Sequence, residues 1–308
     1  MRIFLAGASG AIGRPLVRAL VAGGHEVTGM TRRESAAAEI RAAGAAAAVC
    51  DAFDRPALDR AVAAAEPEVV IHELTSLPAR LDLRRRGVYD ANNRIRTEGT
   101  RNLIAAAGAA GARRFVAQSI AFVYAPIGGP VKAEDDPVMN GAEGEFGAAL
   151  DAAFDLERQV LAADGLVLRY GFFYGPGTSY ASDGAQAEDV RRRRFPIVGA
   201  GEGVFSFVHV DDAATATIRA CERGAPGIYN VCDSEPAALR EWLPVYAEAL
   251  GAKRPLRVPK LIARLLAGES AVALTTTLRG ASNAKARSEL GWEPRYPSWR
   301  QGFAQALG

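Results

Sequence analysis

Cysteine is scarce in this chain: three among 308 residues, at Cys50, Cys221 and Cys232. An odd, widely spaced set without a C-x-x-C argues against a disulfide framework or a zinc site and fits a reducing compartment. Histidine is equally sparse, and His25, His72 and His209 are too scattered to suggest a metal ligand set. There is no Gly-x-Ser-x-Gly elbow and no visible Cys–His pairing, so the usual signatures of nucleophilic hydrolases are missing. No stretch approaches the roughly 18 uninterrupted apolar residues of a membrane span. The opening run, residues 1–6, is too short for a signal sequence. Cytoplasmic location is therefore the expectation. An excess of one charge is also lacking, with 37 basic against 35 acidic residues and a net charge of +2. Neither a nucleic acid nor a membrane partner is implied. The one dense basic run, residues 191–194, reads as a solvated helix face, with an anionic ligand or a subunit contact as the alternative.

An apolar content of 49% and a charged content of 23% are those of a globular protein able to bury a large core. Short apolar runs alternate with alanine-rich helical stretches through the first two-thirds. Strands are expected at residues 2–6, 26–30, 47–50, 69–72, 114–118 and 166–170. Helices are expected at 12–22, 35–43, 54–65 (with Asp54 as N-cap), 97–110 (closed by Gly111) and 150–163. This rhythm predicts an α/β fold, a Rossmann-type doubly wound parallel sheet covered by helices on both faces. After Gly171 glycines and prolines interrupt the pattern. The expected organisation is a dinucleotide-binding domain over 1–170, with 205–233 returning to it. Residues 171–204 and 234–308 would then form a smaller substrate-binding domain.

The first strand runs into Gly7-Ala-Ser-Gly10-Ala-Ile-Gly13, and a helix follows. In such a loop the first glycine makes the tight turn and the second lets the backbone approach a pyrophosphate. The third lets helix pack on strand, and the helix N-terminus offers free N–H groups. Ser9, Ala11 and Ile12 complete the loop as candidate contacts. The end of the second strand carries no acidic residue for a ribose diol. It carries Thr31, Arg32 and Arg33, whose guanidinium forks suit a 2′-phosphate, so NADP(H) is expected over NAD(H). Asp51, with Ala52, closes the third strand, positioned for the adenine edge or simply capping a turn.

These motifs are joined by Val69-Val-Ile-His72, Gly99-Thr-Arg-Asn-Leu103, Val123-Tyr124, Tyr174-Gly-Pro-Gly177, Phe207-Val-His-Val-Asp-Asp212 and Glu289-Leu-Gly-Trp-Glu-Pro294. Together they resemble the extended short-chain dehydrogenases/reductases, the NAD-dependent epimerase/dehydratase family, over nearly the whole length. The resemblance implies further cofactor contacts at Leu74, Thr75, Ser119 and Tyr170. It also implies a Ser/Thr, Tyr and Lys constellation: the tyrosine is acid/base toward a carbonyl or alcohol, and the lysine four residues on lowers its pKa and holds the ribose. The chain departs from that pattern. None of its four lysines follows a tyrosine by four residues. Anchoring the relevant helix on Glu157 puts Ala149 and Ala153 at the two positions. Ile120 stands where the family's Ser/Thr usually falls, beside Ser119. Phe172 and Phe205 replace an asparagine and an arginine common in nucleotide-sugar enzymes, which points to a more apolar pocket.

Ser119 and Tyr124 are the local candidates for a proton donor, each with a packing or hydrogen-bonding role as its rival. Ser76, Phe172, Phe173 and Phe205 are the candidate substrate pocket. His72 reads as a structural histidine within an apolar strand. The leading expectation is an NADP(H)-dependent oxidoreductase acting on a small organic carbonyl, alcohol or enone that is not a nucleotide sugar, with a non-standard acid/base. A redox-neutral epimerase, dehydratase or isomerase that retains its cofactor is a second reading. A catalytically silent NADP(H)-sensing regulator is a third. The expected partner is a small-molecule substrate, and the expected state a monomer or homodimer.

Overall fold

A computed structural model describes residues 1–78, 80 and 85–307. Seven strands form one sheet: β1 (Arg2–Ala6), β2 (Glu26–Thr31), β3 (Ala46–Val49), β4 (Val69–His72), β5 (Arg114–Ile120), β6 (Leu166–Tyr170) and β7 (Gly227–Val231). Their spatial order is β7-β6-β5-β4-β1-β2-β3, and every neighbouring pair is parallel. The order reverses between β1 and β4. In an open parallel sheet that reversal leaves a crevice outside the strands' carboxyl ends, where ligands bind.

Helices cover both faces because the strands are apolar on both. On one face Leu16 and Leu20 of α1 (Gly13–Ala22), Ile40 of α2 (Glu34–Ala42) and Ala213 of the helix Val210–Glu222 pack over Ile3, Leu5 and Ile71. On the other face lie α3 (Arg55–Ala65), α5 (Thr100–Ala109) and α6 (Gly144–Ala162). These bring Leu58, Leu103 and Leu156 against Phe4, Val70 and Val167. Asp54 does cap α3, its carboxylate accepting from the Ala57 N–H at 3.1 Å.

Two helices differ from the sequence expectation. The segment read as starting at residue 97 begins as α4 (Asp90–Arg94), passes through a π-helical turn at Ile95–Gly99 and continues as α5. A π-turn inserts one extra residue and rotates the side chains that follow, and such insertions gather at functional sites. Helix α6 starts at Gly144 rather than Leu150. Its first turns read as loop because of Gly144 and Gly147, yet a Cβ on Gly147 would run into the Ala142 carbonyl, so the glycine permits that contact.

Beyond Tyr170 the chain leaves the sheet. Gly171 lies so close to the Ser206 carbonyl that a Cβ would sit 2.5 Å from it. The strands Phe172–Tyr174 and Phe207–His209 then pair in parallel outside the main sheet. Gly227–Val231 takes the sheet edge beside β6. A third core gathers under this region, built from Tyr180, Phe205, Phe207, Trp242, Tyr246 and Phe303. Among the described residues no helix is long and apolar enough to cross a membrane.

Candidate active site

The loop after β1 has the geometry a dinucleotide needs. Gly7 adopts φ +98°, and a Cβ there would lie 2.5 Å from the Glu73 carbonyl. Gly13 is packed so tightly on the Gly7 carbonyl that no side chain fits. Gly10 differs: a Cβ would approach only the Gly7 carbonyl, at 3.2 Å, so its outer side is open. Among the described residues the Ala11 and Ile12 N–H groups take no backbone partner, as expected at a helix start facing an anion. An open glycine edge, two free donors and the positive end of α1 fit a pyrophosphate.

Thr31 at the end of β2 is buried, and its Oγ1 lies 3.4 Å from Ser9 Oγ and accepts from the Arg33 N–H at 3.4 Å. Arg32 and Arg33 beyond it are exposed, and neither guanidinium has an acidic partner among the described residues. After β3, Asp51 accepts from the Phe53 N–H at 3.0 Å and so closes a turn, while the Ala52 carbonyl accepts from Asn102 at 2.9 Å. After β4 the Leu74 carbonyl accepts from Gln118 at 3.0 Å, Thr75 is exposed, and the Ser76 N–H donates to Asn92 at 3.1 Å. The expected residues from Gly7 to Ser76 therefore line one edge of the sheet, at the carboxyl ends of β1 to β4.

His72 is buried at the end of β4. Its Nδ1 accepts from the Leu74 N–H at 3.2 Å, so the ring proton belongs on Nε2, which faces Thr100 Oγ1 at 3.0 Å. Burial and the nearby Arg96 charge push its pKa down to about 3, which keeps the ring neutral. It holds the loop that follows β4.

Tyr170 and Phe173 are not brought to that edge. Tyr170 turns into the core under α1, and Phe173 packs there against it with ring centroids 5.2 Å apart. The Tyr170 hydroxyl lies 3.0 Å from Glu73 Oε1 and 2.7 Å from Thr217 Oγ1, whose own proton goes to the Ala213 carbonyl. Burial holds the Glu73 carboxyl up at about 8. With that carboxyl protonated, every proton along the Glu73, Tyr170 and Thr217 chain has an acceptor.

Ser119 and Tyr124 belong to one buried network. The Ser119 hydroxyl donates to Glu157 Oε1 at 2.7 Å. Arg169 grips the same carboxylate with two bonds, Nε to Oε1 at 2.8 Å and Nη2 to Oε2 at 2.6 Å. Arg169 Nη1 also donates to the Tyr124 hydroxyl at 3.2 Å, which in turn donates to Asn230 at 2.7 Å. Burial pushes the tyrosine up to about 12, so it holds its proton tightly. A bidentate pair of this kind resists disruption, because removing one partner strands a buried charge at a cost of about 3–5 kcal/mol. It also fixes α6 against β5 and β6, with Ala149 and Ala153 on the inward side, 3% and 0% exposed.

The substrate side is aromatic. Phe172 stacks on Phe122 with centroids 4.5 Å apart and an interplanar angle of 12°, and Phe205 backs it at 4.9 Å. Phe122 follows β5 and Phe172 follows β6, so the stack stands at the carboxyl ends of those strands. Phe205 itself is buried and serves as support. Among the described residues there is no cluster of three metal-ligating side chains.

Two features of this region escaped the sequence reading. Phe122 gave no signal, since its partner is contributed from 50 residues away. Arg96 did leave one. It shares a helical stripe with Asn92, Gly99 and Leu103, all buried, and an arginine on a buried stripe is unusual.

Comparison with known proteins adds to this geometry. The NAD dependent epimerase/dehydratase family matches residues 3–232. The chain is 47% identical over 308 residues to the 3-diazoavenalumate denitrifying reductase of a Streptomyces species, covering 99% of this chain and 100% of that one. It is 30% identical over 268 residues to the 2-alkyl-3-oxoalkanoate reductase of Stenotrophomonas maltophilia, covering 82% and 77%. Among solved structures it resembles the UDP-glucose 4-epimerase of Thermotoga maritima, with a TM-score of 0.78, 22% identity and coverage of 100% and 97%. The dTDP-glucose 4,6-dehydratase of Streptomyces venezuelae, solved with NAD bound, gives a TM-score of 0.78 at 20% identity, covering 100% and 96%. These structural likenesses concern the fold alone.

Proposed function

The chain belongs to the NAD dependent epimerase/dehydratase family and is an NAD(P)-dependent enzyme, and on that premise we propose that it is an NADPH-dependent reductase that replaces the diazo group of an aromatic compound with hydrogen. The observation that carries this reading is the missing proton donor. Ala149 and Ala153 occupy the helix positions of the family's tyrosine and lysine, and the Ser119 and Tyr124 hydroxyls are committed to buried partners.

Two reductions can be compared by their proton balance. A ketone that accepts hydride becomes an alkoxide and must be protonated. An arenediazonium ion that accepts hydride gives the arene and N2, with the electron pair of the broken C–N bond leaving on nitrogen. No proton is consumed. Loss of a general acid costs a ketone reductase roughly 10²–10⁴-fold, whereas the diazo reaction has no such step to lose. The name of the 47%-identical relative pairs a diazo substrate with a reductase and supports this choice.

Bound NADPH supplies the hydride, and the protein's share is placement. The free Ala11 and Ile12 N–H groups and the Gly10 edge would hold the pyrophosphate, and Arg32 and Arg33 the 2′-phosphate. The half-buried faces of Phe122 and Phe172 would stack on the aromatic ring and keep water from the diazo carbon. Water attack there gives a phenol, so a dry aromatic wall protects the reaction.

A pH-stat assay tests the reading. With NADPH and an arenediazonium carboxylate, cofactor oxidation should release N2 with no net proton uptake. Oxidation with simple ketones in place of the diazo compound, at one proton per turnover, would contradict it. So would a changed nucleotide sugar without cofactor loss.

A further inference from the structure

Arg96 stands on the π-helical turn between α4 and α5, 8% exposed. Its Nη1 donates to the Ala149 carbonyl at 3.1 Å, and among the described residues its side chain makes no other hydrogen bond. Among the described residues no carboxylate pairs with it directly. Burial pulls the Arg96 pKa down to about 10; Glu157 opposes this from nearby, but both its oxygens are taken by Arg169 and Ser119. None of its remaining donors is a sealed, unpartnered atom, so they stand open to whatever enters beside them, and a guanidinium this deeply placed gains from a ligand that binds them.

The neighbours fix where that something sits. His72 at the end of β4 feels the Arg96 charge, as does Tyr89. Ala149 is the helix position that the family resemblance gives to the acid/base tyrosine, and Ala153, one turn on, is the position of the ribose-holding lysine. The guanidinium thus reaches the backbone of the first vacated position, one turn before the second, from the facing helix. The π-turn carries Arg96 itself and is the local irregularity that turns its side chain toward α6. Two facing donors on a planar fork match two adjacent hydroxyls.

We propose that Arg96 replaces the lysine missing at position 153 and holds the ribose on the nicotinamide side of the bound dinucleotide. The assignment rests on the NADPH reading above. It makes Arg96 a cofactor-holding residue and leaves the proton balance of the reaction unchanged.

The test compares two ligands that share the adenosine half. Equilibrium binding of NADPH and of 2′,5′-ADP, which lacks the nicotinamide ribose, is measured for wild type, Arg96→Gln and Arg96→Gln/Ala153→Lys. Arg96→Gln should weaken NADPH by about 10- to 100-fold, the value of a hydrogen bond to a charged group, and leave 2′,5′-ADP within about twofold. The double variant should recover most of the NADPH affinity, since the lysine returns to the space Arg96 leaves. If Arg96→Gln alone does not fold, the double variant carries the test and must bind both ligands nearly as wild type does. Equal weakening of both ligands, unchanged NADPH affinity, or no recovery with Ala153→Lys would overturn the assignment. Wild type that binds 2′,5′-ADP but gains nothing from the rest of NADPH would also overturn it. Wild type that binds neither ligand would overturn the cofactor reading itself, and this assignment with it.

Discussion

At the scale of single residues the site is governed by which charges have partners. Arg32 and Arg33 have none among the described residues, and they stand beyond a buried threonine at the end of β2. Replacing both by alanine should weaken NADPH by about 10- to 100-fold, as expected for charge-assisted bonds to phosphate. NADH should change little. Equal losses for the two cofactors in a titration would refute the phosphate assignment. Glu73 is the opposite case, a carboxyl kept protonated by burial at about 8 against 4.5 for a free one. A carboxyl pKa raised by folding gives stability that is fully present below the unfolded value and is lost as pH rises through the folded one. Glu73→Gln keeps the shape without the titration. It should flatten the stability profile between about pH 5 and 8, and at about pH 9 exceed wild type by on the order of 2–4 kcal/mol. Denaturant melts that keep the wild-type slope would show that Glu73 is not the group responsible.

At the scale of elements, the glycine loop separates folding from binding. A methyl on Gly13 collides with the Gly7 carbonyl, whereas one on Gly10 meets only that carbonyl at 3.2 Å and otherwise points outward. Gly13→Ala should therefore destabilise the fold by on the order of 2 kcal/mol or more and lower Tm sharply. Gly10→Ala should keep Tm within a few degrees yet lose cofactor affinity. Calorimetry with and without NADPH distinguishes them, and similar Tm losses for both would contradict the account. The loop was legible in the sequence because glycine spacing, strand and helix are all local signals. Other element features were not. The π-turn at Ile95–Gly99 leaves no periodicity of its own, and it sits inside a run that reads as ordinary helix. The early start of α6 was hidden by Gly144 and Gly147, residues that suggest loop until the close approach to Ala142 is seen. Tyr170 is expected at the cofactor from the family resemblance, and Phe173 at the substrate pocket from its place among the aromatics of residues 172–174. Residues three apart on an unbroken strand point to opposite faces, so both meet the core under α1 only because the chain breaks its alternation at Gly171.

At the scale of the whole molecule, the parallel sheet and its two helical layers were readable from the alternation of apolar runs and helical stretches. The pairing of Phe172–Tyr174 with Phe207–His209 was not, because the two segments are brought together by the close approach of Gly171 and Ser206. That pairing builds the aromatic floor on which Phe122 and Phe172 stack, so the substrate side depends on contacts between distant parts of the chain. The cofactor side is local and the substrate side non-local. For that reason the sequence pointed firmly to a dinucleotide and only loosely to a substrate. The central claim is direct hydride replacement of a diazo group without a protein acid. It is tested most directly with NADPH carrying deuterium at its transferable position, an aromatic diazo compound and ordinary water, with the product read by mass spectrometry. The account predicts one deuterium on the carbon that carried nitrogen, and none there when unlabelled NADPH is used in heavy water. An unlabelled product in the first experiment, or label taken from solvent in the second, would contradict it.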